Sequence, residues 1–366
     1  MHSAAKDVLL PVVAIGLALL LFGGFVGFAG VNPIDVWTTL FKGAFGDWFS
    51  WQNTLQRSAP LMLTALCVAL PARAGLTIIG GEGALVLGGL AAAALPMAVA
   101  LPDNVAGTAL ACAAGAVAGA LWIVLAGWLR QYRGINETIS SLLLSYVAIG
   151  LFKHFVEGTL RDPASLNKPA TPSLDPGLLI GGIGGSDVHW GLVLGVLACV
   201  ALGLWLHWTA SGFSIRVVGG NPRAAQLVGL PATRLILVAC ALGGAAAGLA
   251  GAVEVAAVHT NANGALIAGY GYAGILVAFI ARHNPIAIIP VAILFGGFGA
   301  AGSLLQRRLG LPDASVMVLQ GIAFVLILAS EALRDVDWRA LWAQRRSRPA
   351  EATTPTAPPT ANVEPI

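Results

Sequence analysis

Charged residues are scarce in this chain, and their scarcity excludes a soluble globular protein. They make up 10% of the 366 residues, whereas soluble domains carry about 25%. Hydrophobic residues make up 57% of the chain, and the mean hydropathy is +0.82. Most of the chain must therefore lie in lipid or against other buried helices. The small net charge of +3 gives no indication of a nucleic-acid partner.

Residues that carry catalytic chemistry are also few. The four cysteines lie singly within apolar runs, without the spacing of a disulfide framework or a metal site. No lysine follows a glycine, so the chain lacks the Gly-Lys-Ser/Thr of a Walker A loop. HExxH and GxSxG motifs are absent as well, and the six histidines are scattered. The sequence therefore predicts a protein with no catalytic residues, no bound metal and no cofactor of its own.

Ten apolar runs are candidate transmembrane helices, because a span needs about 20 apolar residues. Two of them are short, and short segments broken by glycine or proline are typical of half-spans beside a transport path. The predicted fold class is all-α, a polytopic membrane protein of about ten transmembrane helices that include short or broken spans. The runs are 8–30, 57–72 (short), 79–101, 104–129, 135–157, 189–209, 234–258, 270–282 (short), 285–305 and 313–333.

The distribution of basic residues predicts that both the N- and C-termini are cytoplasmic, since most arginines then lie inside. Arg307-Arg308 is the main exception, which indicates a wrong span boundary or a cationic patch that meets an acidic external partner. Residues 1–56 are interpreted as the first span plus an external interfacial segment with three tryptophans. Residues 57–333 form the predicted transmembrane core. Residues 334–366, rich in Pro, Thr and Ala, are predicted to be a largely disordered cytoplasmic tail.

One polar segment, 211–234, separates two long apolar runs and carries three arginines, which place it on the cytoplasmic side. Asn221 can cap a short helix that starts at Pro222, because proline at the first helical position loses no hydrogen bond. This helix would end near Gly229. A short capped helix on the cytoplasmic face suits docking against a soluble partner.

Three carboxylates interrupt the apolar runs, where ionisable groups are costly and tend to face cavities or partners. They are Glu82, Glu137 and Glu254. Glu82 and Glu137 have a second interpretation as helix-start carboxylates that interact with the helix dipole. Glu254 has a second interpretation as a residue near the external water boundary.

A polar stripe on one predicted span joins Glu137, Ser141 and Ser145, which lie four residues apart and share a helix face. Such a stripe suits a hydroxyl-rich solute, and it equally suits hydrogen bonds between helices. Elsewhere, the small-residue motifs Gly115-x-x-x-Gly119 and Gly244-x-x-x-Gly248 predict close helix approach.

Four stretches resemble the permease subunits of bacterial ABC importers, in the branch that serves nucleosides and simple sugars. In chain order they read RAGLTIIGGEG (73–83), NETISSLLLSY (136–146), VGGNPRAAQLVGL (218–230) and GYAGILVAF (271–279). Each stretch alone is weak, and the ordered set is specific. Thr77, Ile78 and Ser145 depart from the common pattern, which has asparagines in these regions. The second stretch and its long following loop resemble the nucleoside group more than the ribose group.

The resemblance implies a transport subunit of the bacterial inner membrane that moves nucleosides by alternating access. It implies three partners: a cytoplasmic ATP-binding subunit that holds ATP-Mg, an external solute-binding protein or lipoprotein, and a second permease subunit, identical or different. The residues expected to couple to the ATPase are Gly219, Asn221, Pro222, Arg223, Ala224, Ala225 and Gly229. The residues expected along the substrate path are Gly80, Glu82, Asn136, Glu137, Ser141, Ser145, Tyr146, Glu254, Phe279 and Phe298.

Three alternatives stay open at this stage. A permease for simple sugars such as ribose would show the same stretches, because nucleosides and sugars share hydroxyl groups. A secondary transporter would use the buried carboxylates as proton or sodium sites and work alone. A membrane scaffold or channel would need neither the short broken spans nor a docking segment.

Overall fold

The computed structural model describes residues 2–312 and 314–334, with side chains for residues 12–312 and 314–330. Within these residues the chain is all-helical, as the sequence predicts. The helices are α1 (His2–Phe28), α2 (Pro33–Phe45), α3 (Trp48–Arg73), α4 (Gly81–Ala98), α5 (Val105–Arg133), α6 (Glu137–Glu157), α7 (Gly191–Trp208), α8 (Ala210–Gly220), α9 (Pro222–Leu227), α10 (Ala232–Val253), α11 (Tyr270–Ile280), α12 (Pro285–Leu309) and α13 (Ala314–Arg334).

Each of the ten predicted apolar runs coincides with a helix. Within the described ranges, seven helices are long and apolar enough to cross a membrane, namely α3 to α7, α12 and α10 with its π-helical extension to His259. Three shorter apolar stretches lie in α1, α11 and α13. The protein is a multi-pass membrane protein, while the total of ten spans and the cytoplasmic termini stay predictions. The predicted tail at 334–366 lies, except for Arg334, outside the described residues.

The second predicted span is longer than expected. The run 57–72 lies within α3, a helix of 26 residues, so its interpretation as a half-span is wrong. Polar residues in its first half are satisfied within the protein, both before the predicted run and inside it. Thr54 Oγ1 donates to the Ala44 carbonyl at 2.7 Å, and Ser58 Oγ donates to the Thr54 carbonyl at 2.6 Å. The expected short span at 270–282 is α11, with 11 residues.

Glycines hold α5 and α10 in close contact at the centre of the molecule. A Cβ atom added at Gly119 would overlap the carbonyl oxygen of Gly244, and one added at Gly248 would overlap that of Gly115. The two small-residue motifs therefore pack on each other, which confirms the predicted close approach. Only glycine permits backbones to meet at this distance.

Candidate functional site

The predicted docking helix is present as α9. Its N-cap Asn221 accepts hydrogen bonds at Oδ1 from the N–H groups of Arg223 and Ala224, both at 3.1 Å, and Pro222 occupies the first helical position. After α9, the chain turns at Gly229, whose φ of +83° favours glycine. The local prediction of a short helix that begins at Pro222 and ends near Gly229 is confirmed.

The surface of α9 carries a feature that the sequence reasoning missed. Leu227 is 90% exposed and Val228 is 73% exposed, at the end of the helix, whereas Ala225 is fully buried. Ala225 therefore anchors α9 to the protein and does not itself present a docking surface. The sequence does contain a signal for this exposed pair, because Leu227 and Val228 are two large apolar residues directly before the glycine that ends the helix.

The segment 211–234 is two short helices, α8 and α9, followed by the start of α10. The end of α8 rests on the backbone that leaves α3, because a Cβ atom added at Gly219 would overlap the carbonyl oxygen of Arg73. From the other side, a Cβ atom added at Gly75 would lie 3.2 Å from the Gly219 carbonyl oxygen. The α8–α9 pair is thus in direct backbone contact with the segment that leads into α4.

Two helices begin inside the bundle, well away from the end of α3 at Arg73. A Cβ atom added at Gly81, the first residue of α4, would lie 3.9 Å from Cys67 Sγ, about 9 Å along α3 from Arg73. Thr64 Oγ1 donates to the carbonyl of Tyr270, the first residue of α11, at 3.0 Å, about 14 Å from Arg73. These helices are the broken elements of the fold, and we call their meeting point the α4–α11 junction.

Glu82 holds the α4–α11 junction together. Its Oε1 accepts a hydrogen bond from the Gly269 N–H at 2.9 Å, and its Oε2 accepts one from the Gly271 N–H at 2.6 Å. The side chain is completely buried. Glu82 lies in the first turn of α4, but its carboxylate accepts hydrogen bonds from N–H groups at the start of α11. In this conformation no surface of Glu82 is open to a solute, so its place in a substrate path stays a prediction.

Ser141 and Ser145, two of the three residues of the polar stripe on α6, are buried and face α4. Ser141 Oγ accepts a hydrogen bond from the Ile79 N–H at 3.0 Å. A Cβ atom added at Gly83 would lie 2.8 Å from the Cα atom of Ser145, and one added at Gly80 would lie 3.2 Å from the Cβ atom of Ser141. Of the two interpretations of the stripe, this geometry favours contact between helices over an open solute path.

Two more of the predicted path residues lie at the start of α6. Asn136 is its N-cap and accepts a hydrogen bond from the Ile139 N–H at 3.1 Å. The carboxylate of Glu137 lies 3.3 Å from the guanidinium of Arg130 in an ion pair. Both side chains therefore have local structural roles at the end of the α5–α6 hairpin.

The remaining carboxylate and two phenylalanines lie in packed surroundings. Glu254 is 3% exposed, and its Oε2 lies 3.5 Å from Nε2 of His259 in the π-helical extension of α10. The Phe298 ring packs on that of Phe295, with centroids 5.3 Å apart. Phe279 packs on a histidine after α11 and on a phenylalanine of α13. The structure therefore does not gather the predicted path residues into one site.

Tyr146 differs from the other predicted path residues because it is exposed. It is the tenth of the 21 residues of α6, so it lies midway along a span, and 60% of its side chain is exposed. Tyr272, which the sequence reasoning passed over, is 38% exposed in the first turn of α11. Each tyrosine follows a residue that touches the first turn of α4, namely Ser145 and Gly271. Within the described residues, neither hydroxyl has a hydrogen-bond partner.

A polar cavity of about 690 Å³ opens where α6 ends and the segments after α6 and α10 meet. Asn167, Asn261 and Asn263 line it together with Lys153. Asn263 donates to Asn261 Oδ1 and accepts from the Ala265 N–H. The amide of Asn167 and the Nδ2 group of Asn261 still supply donors and an acceptor, which suits a ligand with several hydroxyl groups.

Comparison with known proteins decides the family. Residues 50–328 match the family described as branched-chain amino acid transport system / permease component. The chain belongs to this permease family. Its similarity to three relatives extends over 88–92% of the chain, at 27–33% identity.

Three relatives of this permease illustrate the range of the family. The glucose ABC transporter permease protein TsgB13 of Haloferax volcanii is 33% identical over 88% of this chain and 87% of its own length. The guanosine ABC transporter permease protein NupP of Bacillus subtilis is 27% identical, over 92% and 97%. The nucleoside ABC transporter permease protein NupB of Lactococcus lactis is 29% identical, over 92% and 94%. The permease is accordingly a transport component and not an enzyme.

Proposed function

We propose that this permease is the membrane subunit of an ATP-driven nucleoside importer in the bacterial inner membrane. Its partners would be a cytoplasmic ATPase that binds ATP-Mg, an external solute-binding protein or lipoprotein, and a second permease subunit. The observation that carries the ATP-driven part is α9, a capped helix whose end exposes Leu227 and Val228. Family membership and the names of the relatives support the importer class.

The packing around α9 supports a route for the coupling. An ATPase that binds Leu227 and Val228 would move α9 and, with it, α8. Because Gly219 in α8 lies against the carbonyl of Arg73, that motion would reach the segment 74–80. This segment leads into α4 and thus to the α4–α11 junction, so a cytoplasmic movement would arrive where the broken helices begin.

The exposed tyrosines support a path along α6 and α11. A phenol that faces lipid in the middle of a span would have no hydrogen-bond partner, and tyrosine prefers the membrane interface. Tyr146 is therefore better placed against a water-filled path or a second permease subunit. Tyr272 would add a second ring to the same path. Aromatic rings stack on nucleobases with favourable energy, which fits a nucleoside.

A simple sugar is the second candidate substrate. The asparagine-lined cavity favours it, since amide groups recognise hydroxyl groups without needing a base. The relative named as a glucose permease supports it further. A gradient-driven carrier would work without an ATPase, so it would not need a capped helix that exposes Leu227 and Val228 to a soluble partner.

Radiolabelled nucleoside uptake would test the proposal, in cells that express the permease with the ATPase encoded beside it. The matched control is the same ATPase with its Walker lysine replaced by alanine. Uptake that depends on this lysine, and that unlabelled nucleoside but not glucose or ribose competes away, is the expected result. Absence of nucleoside uptake, with uptake of labelled glucose or ribose in the same cells, would move the substrate to the sugar class. Uptake that persists without an active ATPase would overturn ATP-driven import.

A further inference from the structure

A cationic pocket of about 360 Å³ lies between the α2–α3 turn and the end of α12. Lys42, Arg307 and Arg308 line it, together with Asp47. Among the residues that the structure describes, none of the three cations has a hydrogen bond or an ion pair. Asp47 is occupied, because its Oδ1 accepts a hydrogen bond from the Ser50 N–H at 2.8 Å and so caps α3. That bond holds the pKa of Asp47 below its usual range.

Helix dipoles explain only part of this charge. Lys42 lies in the last turn of α2, and both arginines lie in the last turn of α12, where cations interact favourably with the helix ends. Each helix C-terminus contributes about half a negative charge. Three cations and the N-terminus of α3, set against Asp47 and two helix C-termini, leave about 1.5 positive charges uncompensated. The pocket is therefore suited to one anion.

The packing of α2 on α12 creates the pocket. A Cβ atom added at Gly43 would lie 2.9 Å from the Cα atom of Ala301, so the two helices meet backbone to backbone. Because Lys42 precedes Gly43, this contact places Lys42 in the lining of the same pocket as Arg307 and Arg308. Lys42 lies more than 260 residues before Arg307 and Arg308 in the sequence, and only the folded protein brings it beside them.

The surroundings of the pocket place it at the membrane interface. Phe41 is 64% exposed, Trp48 is 64% exposed and Phe49 is 62% exposed, all next to or within the α2–α3 turn. Exposed aromatic rings, tryptophan above all, gather at the level of the lipid headgroups. An anion that fills the pocket would thus have apolar rings beside it. That combination fits a phospholipid, whose phosphate and acyl chains need both kinds of contact.

We propose that this pocket binds the phosphate headgroup of an anionic phospholipid. Guanidinium groups suit phosphate oxygens because they can donate two parallel hydrogen bonds. The concave shape favours a headgroup over the surface of an acidic protein, and its volume lies within the range of small-molecule sites, roughly 300–1,000 Å³. The site also gives a physical reason for Arg307-Arg308 at a position that the positive-inside rule assigns to the outer face.

Native mass spectrometry of the purified permease would test the site, with phosphatidylglycerol, phosphatidylcholine or inorganic phosphate added. We expect retained adducts of phosphatidylglycerol that survive excess inorganic phosphate. The triple variant K42Q/R307Q/R308Q should lose them, with about a fivefold drop in affinity for each cation removed, since one such cation near a membrane surface contributes about 1 kcal/mol. The variant R307K/R308K keeps the charge and should retain most of the binding.

Arg133 provides the matched control, because it lies in the last turn of α5 without lining this pocket. R133Q should leave the adducts unchanged. Three results would overturn the proposal. They are equal retention of phosphatidylglycerol and phosphatidylcholine by the natural protein, equal retention of phosphatidylglycerol by the natural protein and a folded triple variant, and displacement of phosphatidylglycerol by inorganic phosphate. The last result would indicate a site for free anions.

Discussion

Helix α9 and the α4–α11 junction both depend on capped helix starts, but the caps come from different distances. In α9 the cap is Asn221, the residue directly before the helix. At α11 the cap is Glu82, which bonds to Gly269 across 187 residues of sequence. The first arrangement can form wherever the local sequence allows. The second exists only when α4 and α11 are already packed together.

This difference separates two mechanical roles. A locally capped helix such as α9 can move as a unit without losing its own hydrogen bonds. The junction cannot separate without breaking the bonds from the Gly269 and Gly271 N–H groups to Glu82, and each N–H left without an acceptor would cost about 1–3 kcal/mol. We therefore expect α9 to transmit motion, and the junction to resist it until α4 and α11 move together or the carboxylate of Glu82 is released.

The largest expected effect is at the surface of α9. The double variant L227E/V228E places two charges where we expect the ATPase to dock, so uptake should fall to background while the protein still folds and inserts. Uptake and membrane expression would be measured in the same cells. Ile135 is the control, because it is an exposed apolar residue between α5 and α6, and I135E should transport normally. Normal uptake by the double variant would remove α9 from the coupling route.

The next largest effect is expected at Glu82. E82L fills the same space with an apolar side chain and leaves the N–H groups of Gly269 and Gly271 without acceptors, at a cost of about 3 kcal/mol in stability. Thermal unfolding in detergent would measure the loss. E157L, at an exposed position near the end of α6, should unfold like the natural protein. If E82L unfolded normally but failed to transport, Glu82 would be a substrate contact and not a clamp.

Gly271 tests the packing of the junction without touching its carboxylate. A Cβ atom at this position would overlap the backbone nitrogen of Glu82, so G271A should push α4 from α11 and cost about 2 kcal/mol. Gly264 has open space around it, and G264A is the control. Thermal unfolding compares the two. Equal stability of both variants would mean that the junction is looser than the structure shows.

The tyrosine pair tests whether the path runs past the junction. Replacing both Tyr146 and Tyr272 with leucine should raise the KM for nucleoside about tenfold, because stacking on a base contributes roughly 1–3 kcal/mol. The double phenylalanine variant keeps the rings and should change the KM much less. Tyr132, in the last turn of α5, is 61% exposed and is not part of the tyrosine pair, so Y132L is the control. An unchanged KM in the leucine variant would place the path elsewhere.

The comparison also explains what the sequence could predict. Asn221, Pro222 and Gly229 act on their immediate neighbours, so the bounds of α9 were readable from local rules. The close approach of α5 and α10 was predictable for a similar reason, because a GxxxG motif by itself indicates that a helix can pack closely on another. The partner of Glu82 was not readable, because no local pattern points to amides that lie 187 residues away. The exposure of Tyr272 likewise depends on which helices leave it uncovered.

The extent of α3 shows the limit of composition alone. Its first half contains Thr54, which looks like a loop residue although its hydroxyl group bonds to the Ala44 carbonyl of α2. It also contains Ser58, whose hydroxyl group bonds to the Thr54 carbonyl of the same helix. A polar residue that satisfies itself inside a helix cannot be distinguished by hydropathy from one that needs water. The family stretches at 73–83 and 271–279 nevertheless marked the two segments that meet at the junction, although the resemblance did not say that they touch.

The smallest expected effect distinguishes a contact between helices from a contact within one. Ser141 and Ser140 are neighbours on α6, but Ser141 Oγ accepts from the Ile79 N–H at 3.0 Å, whereas Ser140 Oγ donates to the Glu137 carbonyl of its own helix at 3.3 Å. S141A removes the acceptor of a backbone N–H that leads into α4, and should cost about 1 kcal/mol. S140A removes no such partner and should cost less, because the helix carbonyl keeps its backbone bond. Thermal unfolding of both variants gives the comparison. A cost for S140A as large as that for S141A would mean that the bond between Ser141 and Ile79 does not stabilise the segment 74–80 before α4, which would leave Ser141 available for the solute.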